Sequence, residues 1–152
     1  MKLKLDSVDK ILDFAIAKEE DAAQFYTDLA GKMGRPYMKG VFESFAKEEK
    51  GHKAKLMSVK EGKRLLKAEK KIQDLGIGDN LIDIEMTSDL GYQDALIVAM
   101  KAEKAAYRLY NDLAQATDDS NLQELFLALA QEEAKHKLRF EIEYDDHYLT
   151  EN

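Results

Sequence analysis

The chain contains no cysteine. That absence excludes disulfides, thiolate zinc sites, iron–sulfur clusters and thiol catalysis together. Oxygen and nitrogen ligands are then the only ones open to a bound metal. Helix breakers are also scarce, with one proline and eight glycines in 152 residues. Abundant Ala, Leu, Glu and Lys with so little punctuation predict long helices. No long apolar run is present. Even a run such as Ala95 to Met100 is far short of the roughly 20 residues that cross a bilayer. The opening MKLKLDSVDK has no apolar stretch of the kind found in secretory leaders, so a cytoplasmic location is expected. Basic excess is missing too. The net charge of −7 argues against nucleic acid or an anionic membrane as the main partner. It fits a surplus of carboxylates that a cation could neutralise.

What is present is a soluble globular composition, 45% hydrophobic and 35% charged, in a chain of a size for one domain over residues 1–152. The chain repeats itself at an offset of 84 residues. Ala15, Glu19, Ala22, Tyr26, Asp28, Leu29 and Ala30 recur as Ala99, Glu103, Ala106, Tyr110, Asp112, Leu113 and Ala114. Phe42, Ala46, Glu48, Glu49, His52 and Lys53 recur as Phe126, Ala130, Glu132, Glu133, His136 and Lys137. Two units, about 8–60 and 92–144, are too few for a solenoid and read as a duplicated helical hairpin.

Each unit predicts two helices. The first pair runs from Ser7 to Lys32 and from Pro36 to about Leu66; the second runs from Gly91 to Ala116 and from Ser120 to about Tyr148. Pro36 suits a first helical turn, where its missing N–H costs nothing. Asp118, Asp119 and Ser120 offer capping oxygens. A connector at about 67–90 carries Gly76, Gly78 and Asp79-Asn80, which form turns. It is long enough to run the height of helices ~40 Å long. Two antiparallel hairpins joined by a long crossover predict an all-α, ferritin-like four-helix bundle.

Each helix has an inward seam with spacings of four and three. The seams are Val8, Leu12, Ala15, Glu19, Ala22, Tyr26, Leu29; Met38, Phe42, Phe45, Glu49, His52, Leu56, Val59; Tyr92, Leu96, Ala99, Glu103, Ala106, Tyr110, Leu113; and Leu122, Phe126, Leu129, Glu133, His136, Phe140. Every apolar seam is interrupted near its middle by Glu, or by Glu followed three residues later by His. A lone carboxylate there would cost many kcal/mol or go neutral, and four converging would repel one another. Two divalent ions would balance four carboxylates. The Glu-x-x-His spacing puts both side chains on one helix face. This is the arrangement of di-iron and di-manganese carboxylate bundles. The predicted ligands are Glu19, Glu49, His52, Glu103, Glu133 and His136, with iron the preferred metal and manganese or a mixed pair the alternative.

Tyr26 and Tyr110 lie seven residues after Glu19 and Glu103. Each is read either as a hydrogen-bond partner or electron relay for a liganding carboxylate, or as a core aromatic whose hydroxyl is satisfied elsewhere. Glu20, Glu48 and Glu132 point about 100° off the seams and read as solvated or as outer partners of the ligands. The basic run Lys60 to Lys71 reads as a solvated face or a dock for an acidic redox partner.

The pieces Ala15-x-x-x-Glu19-x-x-Ala22-x-x-Phe25-Tyr26 and Phe42-x-x-x-Ala46-x-Glu48-Glu49-x-x-His52 resemble the rubrerythrin-type branch of the ferritin-like superfamily. So do Ala99-x-x-x-Glu103-x-x-Ala106-x-x-Leu109-Tyr110 and Ala130-x-Glu132-Glu133-x-x-His136, and the stretches Asp74 to Ile77 and Gly91 to Leu96. The resemblance implies a di-iron protein that reduces hydrogen peroxide or dioxygen, commonly as a homodimer, with the same six residues as ligands. Full-length rubrerythrins feed electrons through a four-cysteine rubredoxin domain. This chain has no cysteine, so an external donor such as a rubredoxin is expected. Typical rubrerythrins also place a further Glu three residues after the third-helix ligand, where this chain has Ala106. That departure bears on redox-dependent ligand exchange and on peroxidase turnover. The alternative activities are iron oxidation, storage or delivery without that turnover, or a bundle whose metal is structural.

Overall fold

The computed structural model describes residues 8–62 and 90–149. Four helices of 25 residues each follow in order: α1 (Val8–Lys32), α2 (Pro36–Lys60), α3 (Tyr92–Ala116) and α4 (Ser120–Tyr144). A π-helical turn, Asp145–Leu149, continues α4. No strand is found among the described residues, and none of their helices is long and apolar enough to cross a membrane. α1 packs on α2 and α3 on α4, and the two hairpins close into an all-α four-helix bundle. The second hairpin begins and ends 84 residues after the first, helix for helix.

Local chemistry sets the helix ends. Pro36 opens α2, whose N-cap residue Arg35 makes no side-chain capping bond. At α4, Asp119 accepts from the Leu122 N–H at 2.9 Å, an ordinary N-cap. The α2 helix stops at Lys60, earlier than the expected Leu66. Gly62 adopts φ 75°, and its N–H closes onto the Val59 carbonyl at 2.8 Å. A left-handed glycine just past a helix ends it by satisfying its last carbonyls. The α-helical part of α4 likewise stops at Tyr144, short of the expected Tyr148, where the π turn takes over. The predicted connector and the basic run beyond Gly62 lie outside the described residues.

Two apolar clusters fill the bundle. One joins Tyr26, Phe42, Phe45, Leu96, Ala99 and Phe140; the other joins Leu12, Leu56, Tyr110, Leu113, Phe126 and Leu129. The first cluster takes the start of α2 and the start of α3, the second their ends. α2 therefore ends, and α3 begins, at opposite ends of the bundle, as a crossover topology requires. Most seam positions are buried, but Val8 at the start of α1 is 43% exposed.

Candidate metal centre

Between the two apolar clusters lies a polar layer. Glu19 comes from α1, Glu49 and His52 from α2, Glu103 from α3, and Glu133 and His136 from α4. None of the six is more than 3% exposed. Each helix presents its cluster residues because they occupy the seam that faces the bundle axis. The i, i+3 spacing then stacks each His beside its Glu.

The six side chains form two overlapping groups able to hold a metal ion. Glu19, Glu49, His52 and Glu133 make one; Glu49, Glu103, Glu133 and His136 make the other. Within each group the potential ligand atoms lie within 4.8 Å of one another. His52 Nδ1 is 3.0 Å from Glu49, 3.1 Å from Glu133 and 3.5 Å from Glu19. His136 Nδ1 is 3.4 Å from Glu103 and 3.6 Å from Glu133. The two imidazole rings are almost parallel, 5.7 Å apart.

These residues fit a bound metal, and the fit is visible in what they leave undone. One inward atom of each, namely Glu19 Oε1, Glu49 Oε1, His52 Nδ1, Glu103 Oε1, Glu133 Oε1 and His136 Nδ1, is buried with no well-formed hydrogen bond. Buried polar atoms are seldom left so, and here they share a single locus. The electrostatics agree. Burial pushes the Glu133 carboxyl well above the ordinary range, and the charges of Glu103 and Glu49 push it further. Burial also raises Glu19, partly offset by contact with His52. For both histidines burial opposes charge, yet the surrounding carboxylates win and raise their pKa. The cluster attracts positive charge, which protons or cations can supply.

The outer contacts cross between hairpins. Tyr26 of α1 donates to Glu103 Oε2 of α3, and Tyr110 of α3 donates to Glu19 Oε2 of α1. Burial, reinforced by the neighbouring carboxylates, holds both phenols well above their usual pKa, so they remain donors. Glu48 accepts from His136 Nε2 at 3.1 Å and from Arg139 at 2.8 Å. It is therefore an outer partner of a cluster histidine. Glu20 and Glu132 instead meet Lys53 at 2.8 Å and Lys135 at 3.4 Å, away from the cluster. The sequence did not single out Arg139. Its only local signal is its place three residues after His136. Phe45 completes this side, its ring edge-on to His136 at 4.9 Å and capped by Arg139 at 4.4 Å.

Fold and site together define a ferritin-like helical bundle with a buried carboxylate–imidazole cluster able to hold metal ions. The family model described as Rubrerythrin matches residues 10–144, and the chain belongs to the rubrerythrin family. Among solved structures it is similar to a hypothetical protein from Pyrococcus furiosus, at 25% identity and a TM-score of 0.63, over 95% of this chain and 92% of that one. No curated protein matches the chain.

Proposed function

We propose that the chain binds two iron ions through Glu19, Glu49, His52, Glu103, Glu133 and His136 and reduces hydrogen peroxide or dioxygen with electrons from an external donor. The observation that carries this reading is the set of six orphaned inward atoms, one per residue, divided into two quartets. Carboxylates with some imidazole suit iron or manganese. When bound, iron would supply the one-electron steps that cleave an O–O bond.

The protein's own part is positioning and charge. Glu49 and Glu133 belong to both quartets, so each would help hold both ions. Glu19 and Glu103 each serve one quartet. The tyrosine hydroxyl on the outer oxygen of each fixes which oxygen turns inward. Each histidine faces the cluster through Nδ1, which leaves Nε2 to carry the proton when the imidazole ligates. The two apolar clusters exclude bulk water and strengthen every charge interaction between them. The electron donor fits a small redox protein such as a rubredoxin, and the working unit is proposed to be a cytoplasmic homodimer.

One observation favours a second reading. Ala106 is half-buried on α3, where rubrerythrins typically carry a further glutamate. Without that carboxylate, a single oxidation of ferrous iron for storage or delivery fits the same ligands. Anaerobic loading with Fe(II), followed by peroxide, tests the proposal. The expected outcome is two irons per chain by mass spectrometry, one peroxide consumed per pair, and near-UV absorption of a diferric product. Failure to retain iron, or ferrous iron indifferent to peroxide, would overturn it. Repeated turnover with reduced rubredoxin supports the first reading. One oxidative burst without turnover, from a cage-sized particle in sedimentation, supports the second.

A further inference from the structure

We propose that the two metal positions are inequivalent, and that Glu48, held by Arg139, is the positioning residue that makes the Glu103–His136 position the tighter of the two. This rests on the reading that the six residues hold two ions.

The duplicated sequence supplies the control. Each quartet contains one private glutamate, one histidine and the two shared glutamates. The tyrosine contacts are matched as well, Tyr26 with Glu103 and Tyr110 with Glu19. Up to this point the repeat predicts two equal positions. Glu48 breaks the equality. Its oxygens bond His136 Nε2 at 3.1 Å and Arg139 at 2.8 Å. Its repeat mate Glu132 is turned along its own helix to Lys135, and the repeat mate of Arg139 is Lys55. The polar contacts of His52 among the described residues all run through Nδ1, toward the carboxylates of the cluster.

An ionised acceptor on the outer nitrogen fixes the tautomer and orientation of a ligating imidazole and raises its basicity. His136 has such an acceptor; among the described residues His52 has none. Arg139 fixes Glu48 in turn, and its guanidinium covers Phe45, whose ring edge abuts His136. The local frame of His136 is thus set on two sides.

Calorimetric and optical titration of the apoprotein with Co(II) tests this without reference to turnover. The wild type is expected to bind two Co(II) in two distinct steps. Glu48→Gln is expected to weaken the tighter step by about 10–100-fold, the usual cost of losing such a partner, and to leave the weaker step in place. Glu132→Gln should leave both steps within about twofold on the same reasoning. Arg139→Gln, at an exposed residue, should shift the tighter step in the same direction by a smaller factor, and serves if Glu48→Gln disturbs folding. In a His136→Gln background the Glu48 substitution should have no further effect; in a His52→Gln background its effect should persist. Two equal steps in the wild type, equal effects of the Glu48 and Glu132 substitutions, or a Glu48 effect that survives loss of His136 would each overturn the inference and leave the two-metal reading standing. A wild-type protein that binds no Co(II) would remove that reading, and the inference with it.

Discussion

At the scale of single residues, the two tyrosines that reach across the bundle matter most. Each hydroxyl satisfies one oxygen of a buried glutamate whose other oxygen is already orphaned. Removing a hydroxyl leaves a buried acceptor oxygen unpartnered, which costs about 1–3 kcal/mol. Tyr26→Phe and Tyr110→Phe are therefore each expected to lower apoprotein stability by about that amount, and by similar amounts, in urea denaturation. Tyr37 offers a pH test away from the cluster. Its hydroxyl donates to Glu143 at 2.9 Å. That bond, with partial burial and the Glu143 and Asp146 charges, moves its pKa from 10.0 up to about 12. The folded protein therefore holds this proton more tightly than the unfolded chain does. The contribution is complete below pH 10.0 and is lost as the pH climbs to about 12. The urea midpoint of the wild type should fall over that interval by more than that of Tyr37→Phe. Equal falls would show that the contact contributes nothing.

At the scale of elements, the two hairpins share a sequence plan but end their helices differently. Asp119 caps α4, whereas Arg35 at the same place before α2 supplies no capping bond and leaves Pro36 to open the helix. Asp119→Ala is expected to destabilise the protein by about 1 kcal/mol in denaturant titration. Arg35→Ala should cost little, because no side-chain bond is lost. Helix existence and type were legible in the sequence. Four seams with spacings of three and four leave no strand pattern to compete, and a register error would have exposed whole stripes. The exact stops were less legible. Gly62 ends α2 because its left-handed φ is available without a Cβ penalty, yet Gly31, Gly40 and Gly51 sit inside helices. A glycine in the sequence does not declare which of these it is.

At the scale of the whole molecule, the bundle is held together by apolar clusters above and below a layer that repels itself. Bound cations should convert that layer from a liability into a tie. At free metal one hundred times Kd, linkage adds about 2.7 kcal/mol for each ion bound, which corresponds to a rise in Tm of about 5–10 °C per ion for a domain of this size. Differential scanning calorimetry with and without Fe(II) under anaerobic conditions should register it, and a chelator should reverse it. Glu133→Gln should abolish most of the rise. It should leave the Tm of the apoprotein nearly unchanged, because burial and the neighbouring carboxylates already favour the neutral form of that carboxyl. A metal-independent Tm in the wild type would exclude the cluster as a metal site.

The sequence alone determined which residues turn inward. A residue's azimuth on a helix follows from its spacing, about 100° per position, so the six buried cluster residues and most of the core could be read off the seams. Tertiary structure alone decided which outer groups meet which cluster residues. Tyr26 reaches Glu103 on the other hairpin rather than Glu19 on its own helix. Glu48 reaches His136, while its repeat mate Glu132 stays on its own helix. Those pairings depend on how the helices dock against one another, and the packing of large side chains such as Phe45 against His136 sets that docking. Two segments with the same local pattern can therefore end in different environments.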